Sequence, residues 1–355
     1  MLCKGEQSEP WGAVRTGILF LVQIIPGINP PMHPLDQLSS PQDYPRLFTD
    51  VGFWTPYVFQ ACAQHGMACR QIQVGIPGTC PTFIVDRRVV VKFFGVLFNG
   101  QRSFAVESSI AHLLAGSPQI PAAALLADGA LDPPEADWRW PYLIFEYLDG
   151  KSYQEVHHQL TLAEKSRLAA QMGVWLRALH TLPVPQDGPF ERDWSGFAAF
   201  MENQRAGCAA RLAGWGSLPN HLLSQVADYL LPQEQWIDRS ANPHIVHADL
   251  TSDHLLGRIR KGRWVTRGLI DYGDARIGNL YYELPALHME FFQGDRRLLS
   301  AFLERYGFSP PADFPRVALS FCLLHEFDLF TGLANTVLLQ KCSTLADLAD
   351  LLWRV

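Results

Sequence analysis

A chain of 355 residues, 48% hydrophobic and 18% charged, has apolar material for one large or two medium cores. Its net charge of −6 and isoelectric point near 6.0 supply no field for nucleic acid or an anionic membrane, and no basic stripe with interleaved aromatics occurs. Seven scattered cysteines without a C-x-x-C pair suit a reducing, cytoplasmic setting and argue against structural zinc, while no apolar run reaches the roughly 18–20 residues of a spanning helix.

Residues 1–40 are expected to form a loosely attached, disordered extension. Within it, residues 17–25 follow Lys4 and Arg15 in the manner of a signal-peptide core. Glu6 and Glu9 dilute the positive start, however, and residues 26–31 lack a small-x-small cleavage site. A short packed strand is the alternative, and Met32 is the better start if translation begins downstream. A helix is predicted from about Gly52, with Phe53, Val58, Phe59 and Cys62 apolar, to an end near Gly66. Cys62 and Cys69 are expected one helical face apart. Strands follow at 71–74, 82–85 and 89–94, joined by a loop over 75–81 and a turn at Asp86-Arg87-Arg88. Residues 102–115 have helical spacing, 118–129 suggest a strand and turn, and 142–147 form a strand that Asp149-Gly150 ends.

Beyond that point the pattern turns helical. One helix spans 160–182, and further helices over 197–237 break at Gly214–Gly216 and Leu218-Pro219. A small hairpin pairs 255–257 with 264–266, its basic residues Arg258, Arg260, Lys261 and Arg263 falling at the turn and solvated ends. Residues 283–355 return to helix, interrupted at Gly307 and Pro310-Pro311. A β-rich part over 41–148 thus joins a larger helical part over 149–355.

Two aspartates stand where buried strands should emerge at a cleft. Asp249 follows Ile245-Val246-His247-Ala248, and Asp271 follows Leu269-Ile270. Phosphoryl transfer needs such a pair, one carboxylate at the attacking hydroxyl and one at the metal that neutralises phosphate charge. Lys92 lies inside the apolar run Val89–Phe94, where a lysine is costly unless it is paired or faces a cleft. Glu107 on the next helix is its candidate partner, and the Gly75–Pro81 loop with Thr79 can lay backbone N–H groups over phosphates. Neither a Walker motif nor a G-x-G-x-x-G is present. His325-Glu326-x-Asp328, expected on an apolar C-terminal helix, is a candidate lining for an acceptor pocket.

The order Lys92, Glu107, Phe145-Glu146-Tyr147-Leu148, Leu179-His180, His247-x-Asp249 and Ile270-Asp271 resembles the aminoglycoside phosphotransferase and choline kinase superfamily. The likeness covers about residues 50–330. It implies an α+β, bilobal protein-kinase-like fold, with a small antiparallel β-sheet N-lobe that binds nucleotide and a larger helical C-lobe. It also implies ATP with Mg²⁺ as cofactors and a small hydroxylated molecule as acceptor. By position, Asp249 would orient the hydroxyl or take its proton, and Asp271 would bind Mg²⁺. Lys92, Glu107 and Thr79 would serve the phosphates. Backbone atoms of Glu146, Tyr147 and Leu148 would meet adenine, and His247 would brace the catalytic loop. Glu283 stands where the family usually has Asp, and is a further candidate on the acceptor side.

One position departs from the family. The Asn expected five residues after Asp249 is His254, preceded by Asp253. Imidazole suits Mg²⁺ poorly and Mn²⁺ better. Three arrangements stay open: His254 ligates directly, Asp253 supplies the oxygen, or one metal site is weakened. The expected activity is transfer of the ATP γ-phosphate to a small-molecule hydroxyl. The alternatives are a kinase of a sugar, amino alcohol or glycated lysine, and a kinase-like nucleotide-binding protein without catalysis. The sequence leaves oligomeric state open.

Overall fold

A computed structural model describes residues 35, 38, 40, 44–76, 78–131, 138–333 and 337–355. Most of the expected extension over residues 1–40 therefore lies outside the described residues. Leu35 and Leu38 are an exception to the expectation of loose attachment, since both are buried in the N-lobe core.

The N-lobe opens with a helical turn α1 (Tyr44–Leu47) and helix α2 (Val51–Gln64). The Asp50 carboxylate caps α2 by accepting from the Phe53 N–H at 3.1 Å. Because α2 ends at Gln64, Cys69 lies past the helix and does not share a face with Cys62. Five strands follow: β1 (Ile72–Val74), β2 (Thr82–Val85), β3 (Val89–Phe93), then β4 (Leu125–Ala130) and β5 (Pro141–Glu146) after helix α3 (Gly100–Ala115). They form one antiparallel sheet in the order β1-β2-β3-β5-β4.

Strand alternation sorts this sheet into two faces. Phe83, Val85, Val91, Phe93, Tyr142 and Ile144 pack beneath α2. Trp54 of α2 is fully buried there and stacks on Phe93 at 4.7 Å between ring centroids. The intervening residues, among them Ile84, Val90, Lys92 and Phe145, face the interlobe cleft. A one-residue slip of β3 would turn Lys92 into the apolar core, so burial of the α2 face fixes the register that presents the lysine.

The C-lobe begins with β6 (Lys151–Ser152), α4 (Tyr153–Val156) and α5 (Leu162–His180), followed by α6 (Ser195–Trp215), α7 (Asn220–Leu223) and α8 (Val226–Tyr229). Strands β7 (His244–Val246), β8 (Leu255–Arg260), β9 (Arg263–Leu269) and β10 (Arg276–Gly278) carry the loops of interest. Helices α9 (Leu280–Ala286), α10 (Arg296–Tyr306), α11 (Phe314–Leu324), α12 (Val337–Lys341) and α13 (Leu345–Trp353) complete the chain, with a π-helical turn at Leu287–Phe291. Helices α5 and α10 pack closely because Gly173 lacks a side chain. A Cβ there would lie 2.5 Å from the Phe302 carbonyl oxygen.

The hairpin is longer than the sequence indicated, running from Leu255 to Leu269 and turning at Lys261-Gly262, both with positive φ. Two pairings carried no sequence signal: β6 adds a third strand to β8 and β9, and β7 pairs with β10. Helix α11 stops at Leu324, so His325 and Glu326 lie beyond it and not on it; His325 already has extended backbone.

Candidate active site

A cleft of about 700 Å³ separates the lobes, walled by the inner face of the sheet, the linker after β5 and the loops after β7 and β9. Lys92 projects into it from β3. Its Nζ donates to Glu107 Oε2 on α3 at 2.7 Å and to Asp271 Oδ1 at 2.8 Å. Lys92 is only 8% exposed and Glu107 4%, so the ammonium avoids an isolated buried charge by this double pairing. Burial would discharge Lys92, but Asp271 and Glu107 outweigh it and hold the group protonated well above the usual lysine range. Burial pushes the Glu107 carboxyl up to about 7 against the pull of Lys92. Burial also acts on Asp271, yet Lys92 and His254 overcome it and keep this carboxyl ionised, below its ordinary range.

Asp249 sits in the loop after β7. Burial raises its carboxyl to about 7, opposed by His254 and assisted by Asp274 and Asp271. Two residues here have left-handed backbone, Ala248 at φ 70° and Asp271 at φ 65°. Non-glycine residues adopt such angles at a cost, and they concentrate where surrounding structure enforces a functional geometry.

What enforces it lies beneath. Glu283 on α9 is fully buried, and its Oε2 accepts the His247 N–H at 2.6 Å. The His180 Nε2 of α5 approaches the same oxygen at 3.4 Å. His247 Nε2 donates to the Ile270 carbonyl at 3.1 Å, which ties the Asp249 loop to the Asp271 loop. The ring also lies on Tyr272, 4.6 Å between centroids. The His247 side chain thus links the two loops.

His254 stands between the two aspartates. Its Nδ1 bonds to the Asp249 carbonyl at 2.5 Å and lies 3.2 Å from Thr251 Oγ1. Nδ1 is 3.8 Å from Asp249 Oδ2, and Nε2 is 3.7 Å from Asp271 Oδ2. Burial lowers the basicity of this imidazole, but Asp271 and Asp249 overcome it, for a net rise. Asp253, by contrast, accepts from the Ser152 hydroxyl at 3.1 Å at the cleft rim.

At the linker the Glu146 N–H donates to the Ala124 carbonyl, the Glu146 carboxylate accepts the Ala124 N–H, and the Tyr147 N–H donates to Arg88. Glu146, Tyr147 and Leu148 all line the cleft, as does Thr79 opposite. The Thr79 carbonyl accepts from the Tyr44 hydroxyl, so α1 holds the loop from behind. Nothing in the sequence marked Tyr44 for this.

The three acceptor-side candidates separate. Glu283 is closed off from solvent under the Asp249 loop, where it accepts the His247 N–H, and does not line the cleft. His325 is also fully buried, stacked on Tyr282 at 4.8 Å. Glu326 is partly exposed, but Arg276 and the Tyr282 hydroxyl engage it. Asp274 and Phe327 line the cleft beside Asp249 and were not singled out from the sequence. Asp274 falls in the same Asp271-Tyr272-Gly273-Asp274 segment, so its proximity was legible there.

Among the described residues, no three His, Cys, Asp or Glu side chains gather closely enough to hold a metal unaided, and no helix is long and apolar enough to cross a membrane. The profile of the phosphotransferase enzyme family (APH) matches residues 83–319. The chain belongs to this family. Solved structures of phosphotransferases share its two-lobed, kinase-like fold. An aminoglycoside phosphotransferase solved with GDP and kanamycin superposes with a TM-score of 0.60 at 16% identity, over 76% of this chain and 88% of that one. A microcompartment-associated aminopropanol kinase gives 0.53 at 15% identity, over 79% and 90%. A lysine-specific demethylase of Arabidopsis thaliana is 24% identical over 203 residues, which are 47% of this chain and 21% of that protein. The chain thus spans about a fifth of that curated relative's length.

Proposed function

We propose that this phosphotransferase moves the γ-phosphate of ATP onto a hydroxyl of a small molecule. The observation that carries the proposal is the double ion pair of Lys92 with Glu107 and Asp271, in the cleft that Asp249 also lines. Lys92, held charged and fixed in direction, is suited to orient phosphates entering beneath the Gly75–Pro81 loop, and the linker at Glu146–Leu148 to receive the base.

The donors fit a divalent cation. Asp271 is a carboxylate held ionised in the cleft, with Oδ1 on Lys92 and Oδ2 3.7 Å from His254 Nε2. Mg²⁺ takes one or two carboxylates and completes its shell with phosphate oxygens and water, so this sparse set is the usual kind. When bound, such an ion would neutralise charge on the phosphates. Asp249 would orient the acceptor hydroxyl and take its proton as the oxygen bonds to the γ-phosphorus and the bond to the ADP oxygen breaks. The small molecules named for two structural neighbours, kanamycin in a complex and aminopropanol for a kinase, share hydroxyl and amine groups. Asp274 and Phe327 beside Asp249 would form one wall for such a molecule.

The test is ATP turnover across a panel of hydroxyl compounds, with Mg²⁺ and with Mn²⁺. Asp249→Ala is expected to lower transfer by at least about 100-fold while nucleotide still binds. Unchanged turnover would refute the mechanism, and nucleotide binding without transfer to any acceptor would mark a binding protein instead.

A further inference from the structure

We propose that Arg276 determines acceptor specificity: its guanidinium fills the place beside Asp249 where an acceptor ammonium would sit, so the acceptor carries at most one positive charge. The proposal rests on the phosphotransfer reading above and narrows its acceptor class.

Two carboxylates, Asp274 and Glu326, stand near enough to Asp249 to help raise its carboxyl, which burial pushes up first. A cleft built to attract a molecule with several amines would leave both free. Here Arg276 on β10 donates its Nη2 to Glu326 Oε1, and the Tyr282 hydroxyl donates to the same oxygen at 3.2 Å. The guanidinium lies over the Phe200 ring, 3.8 Å from its centroid, and 5.3 Å from that of Tyr282. Aromatic faces beside a carboxylate are surroundings that suit an ammonium ligand, and the chain's own cation occupies them. Only 11% of the Arg276 side chain is exposed. Burial would discharge it, but Tyr282, Glu326 and Asp274 outweigh burial and keep it charged.

The two carboxylates are therefore not equivalent. Glu326 is neutralised by Arg276. Asp274 lines the cleft and, among the described residues, has no cation within ion-pair distance. One ammonium can pair with Asp274. A second on the same small molecule would meet Arg276, and like charges set together in a partly desolvated site reject the wrong partner. Arg102 on α3 reinforces this barrier, since its Nη2 donates to the Ala275 carbonyl, next to Arg276, at 3.1 Å.

The test is transfer from ATP by the full chain to glycerol and sorbitol, which are neutral, to aminopropanol with one amine, and to kanamycin with several. The expected kcat/KM for kanamycin is at least about tenfold below that of the best acceptor with one amine or none. Arg276→Gln removes the charge but keeps an N–H donor for Glu326. It is expected to raise kcat/KM for kanamycin relative to aminopropanol by about tenfold with the KM for ATP unchanged, whereas Arg276→Lys should keep the native preference. Kanamycin as the preferred acceptor of the native protein would overturn the inference and leave phosphotransfer standing. So would an unaltered preference in Arg276→Gln, the mark of a purely structural ion pair. Transfer to none of these compounds would overturn both readings. The comparison of acceptors needs no substitution, so it decides the matter even if Arg276→Gln does not fold.

Discussion

At the scale of single residues, Lys92 is held by the two carboxylates that surround it. Lys92→Met would leave Glu107 and Asp271 facing each other without their cation. Breaking a buried pair on one side typically costs about 3–5 kcal/mol. Here about 2–4 kcal/mol is expected, because Glu107 already lies near neutrality and can take a proton. The double variant with Glu107→Gln should recover part of that loss in chemical denaturation; equal losses would mean the groups are not coupled. Ala248 makes a second prediction. An L-residue with left-handed backbone costs about 1–2 kcal/mol, and glycine gives back about 0.5–1 of that in chain entropy. Ala248 is fully buried, and loss of its methyl costs about 0.8 kcal/mol, so Ala248→Gly should leave the denaturation midpoint nearly unchanged at constant slope; a clear drop would mean that the methyl contacts outweigh the strain. Lys92 was legible in the sequence because a lysine inside an apolar strand has few explanations. The strain at Ala248 was not, since nothing in the identity of an alanine announces a positive φ. His325 and Glu283 misled for a related reason: a polar residue in an apolar run can face a ligand or be buried with a partner, and only packing separates the two.

At the scale of elements, the Asp249 loop is shaped by helices that do not line the cleft. Glu283 on α9 anchors the His247 N–H, and His180 on α5 meets the same carboxylate. A hydrogen bond to a charged acceptor contributes about 1.5–3 kcal/mol. Glu283→Ala is therefore expected to reduce transfer at least about tenfold while nucleotide affinity stays near normal, because the loop at Asp249 loosens and the Lys92 side does not. A parallel loss of affinity would show that the whole lobe had shifted. Strands and helices with full periodicity (β2, β3, β5, α3, α5 and the β8–β9 hairpin) were visible from the order of apolar residues. The β7–β10 and β6–β8 pairings were not, because each is two or three residues long and joins segments remote in sequence. The end of α11 was hidden too, as no glycine or proline marks the change at His325. Where the linker enters the C-lobe, spacing is tight: a Cβ on Gly150 would lie 2.4 Å from the Gly257 carbonyl oxygen. Gly150→Ala should part β6 from β8 and cost about 1–3 kcal/mol of stability in denaturation.

For the whole molecule, the response to acid follows from groups buried in opposite senses. His180, His288 and His325 are buried, and burial lowers their pKa values to about 3, 4 and 3. Their folded values lie below the unfolded value near 6.5, so they leave stability untouched above that pH. As pH falls below it, the unfolded chain takes up protons that the folded chain refuses, and each histidine costs up to about 1.4 kcal/mol per pH unit. Glu107 has the opposite shift, with burial raising it to about 7. Its folded form gains a proton between about pH 7 and pH 4.5 while the unfolded form does not, which adds stability over that window and nothing further below it. The Glu107 gain offsets part of the histidine cost down to about pH 4.5; in stronger acid the histidine cost is joined by that of Asp271, whose carboxyl is held below its ordinary range. Stability should therefore already fall below about pH 6.5, where three histidines outweigh Glu107, and fall more steeply below about 4.5, where the Glu107 gain has ended. His288 isolates the histidine share, because its Nε2 donates only to the Leu352 main chain, far from the cleft. His288→Gln keeps a donor but cannot titrate. Relative to the native protein, it should lose less stability per pH unit between pH 6 and 4, by about 1 kcal/mol. An unchanged slope in urea denaturation would mean that His288 takes up its proton in the folded state.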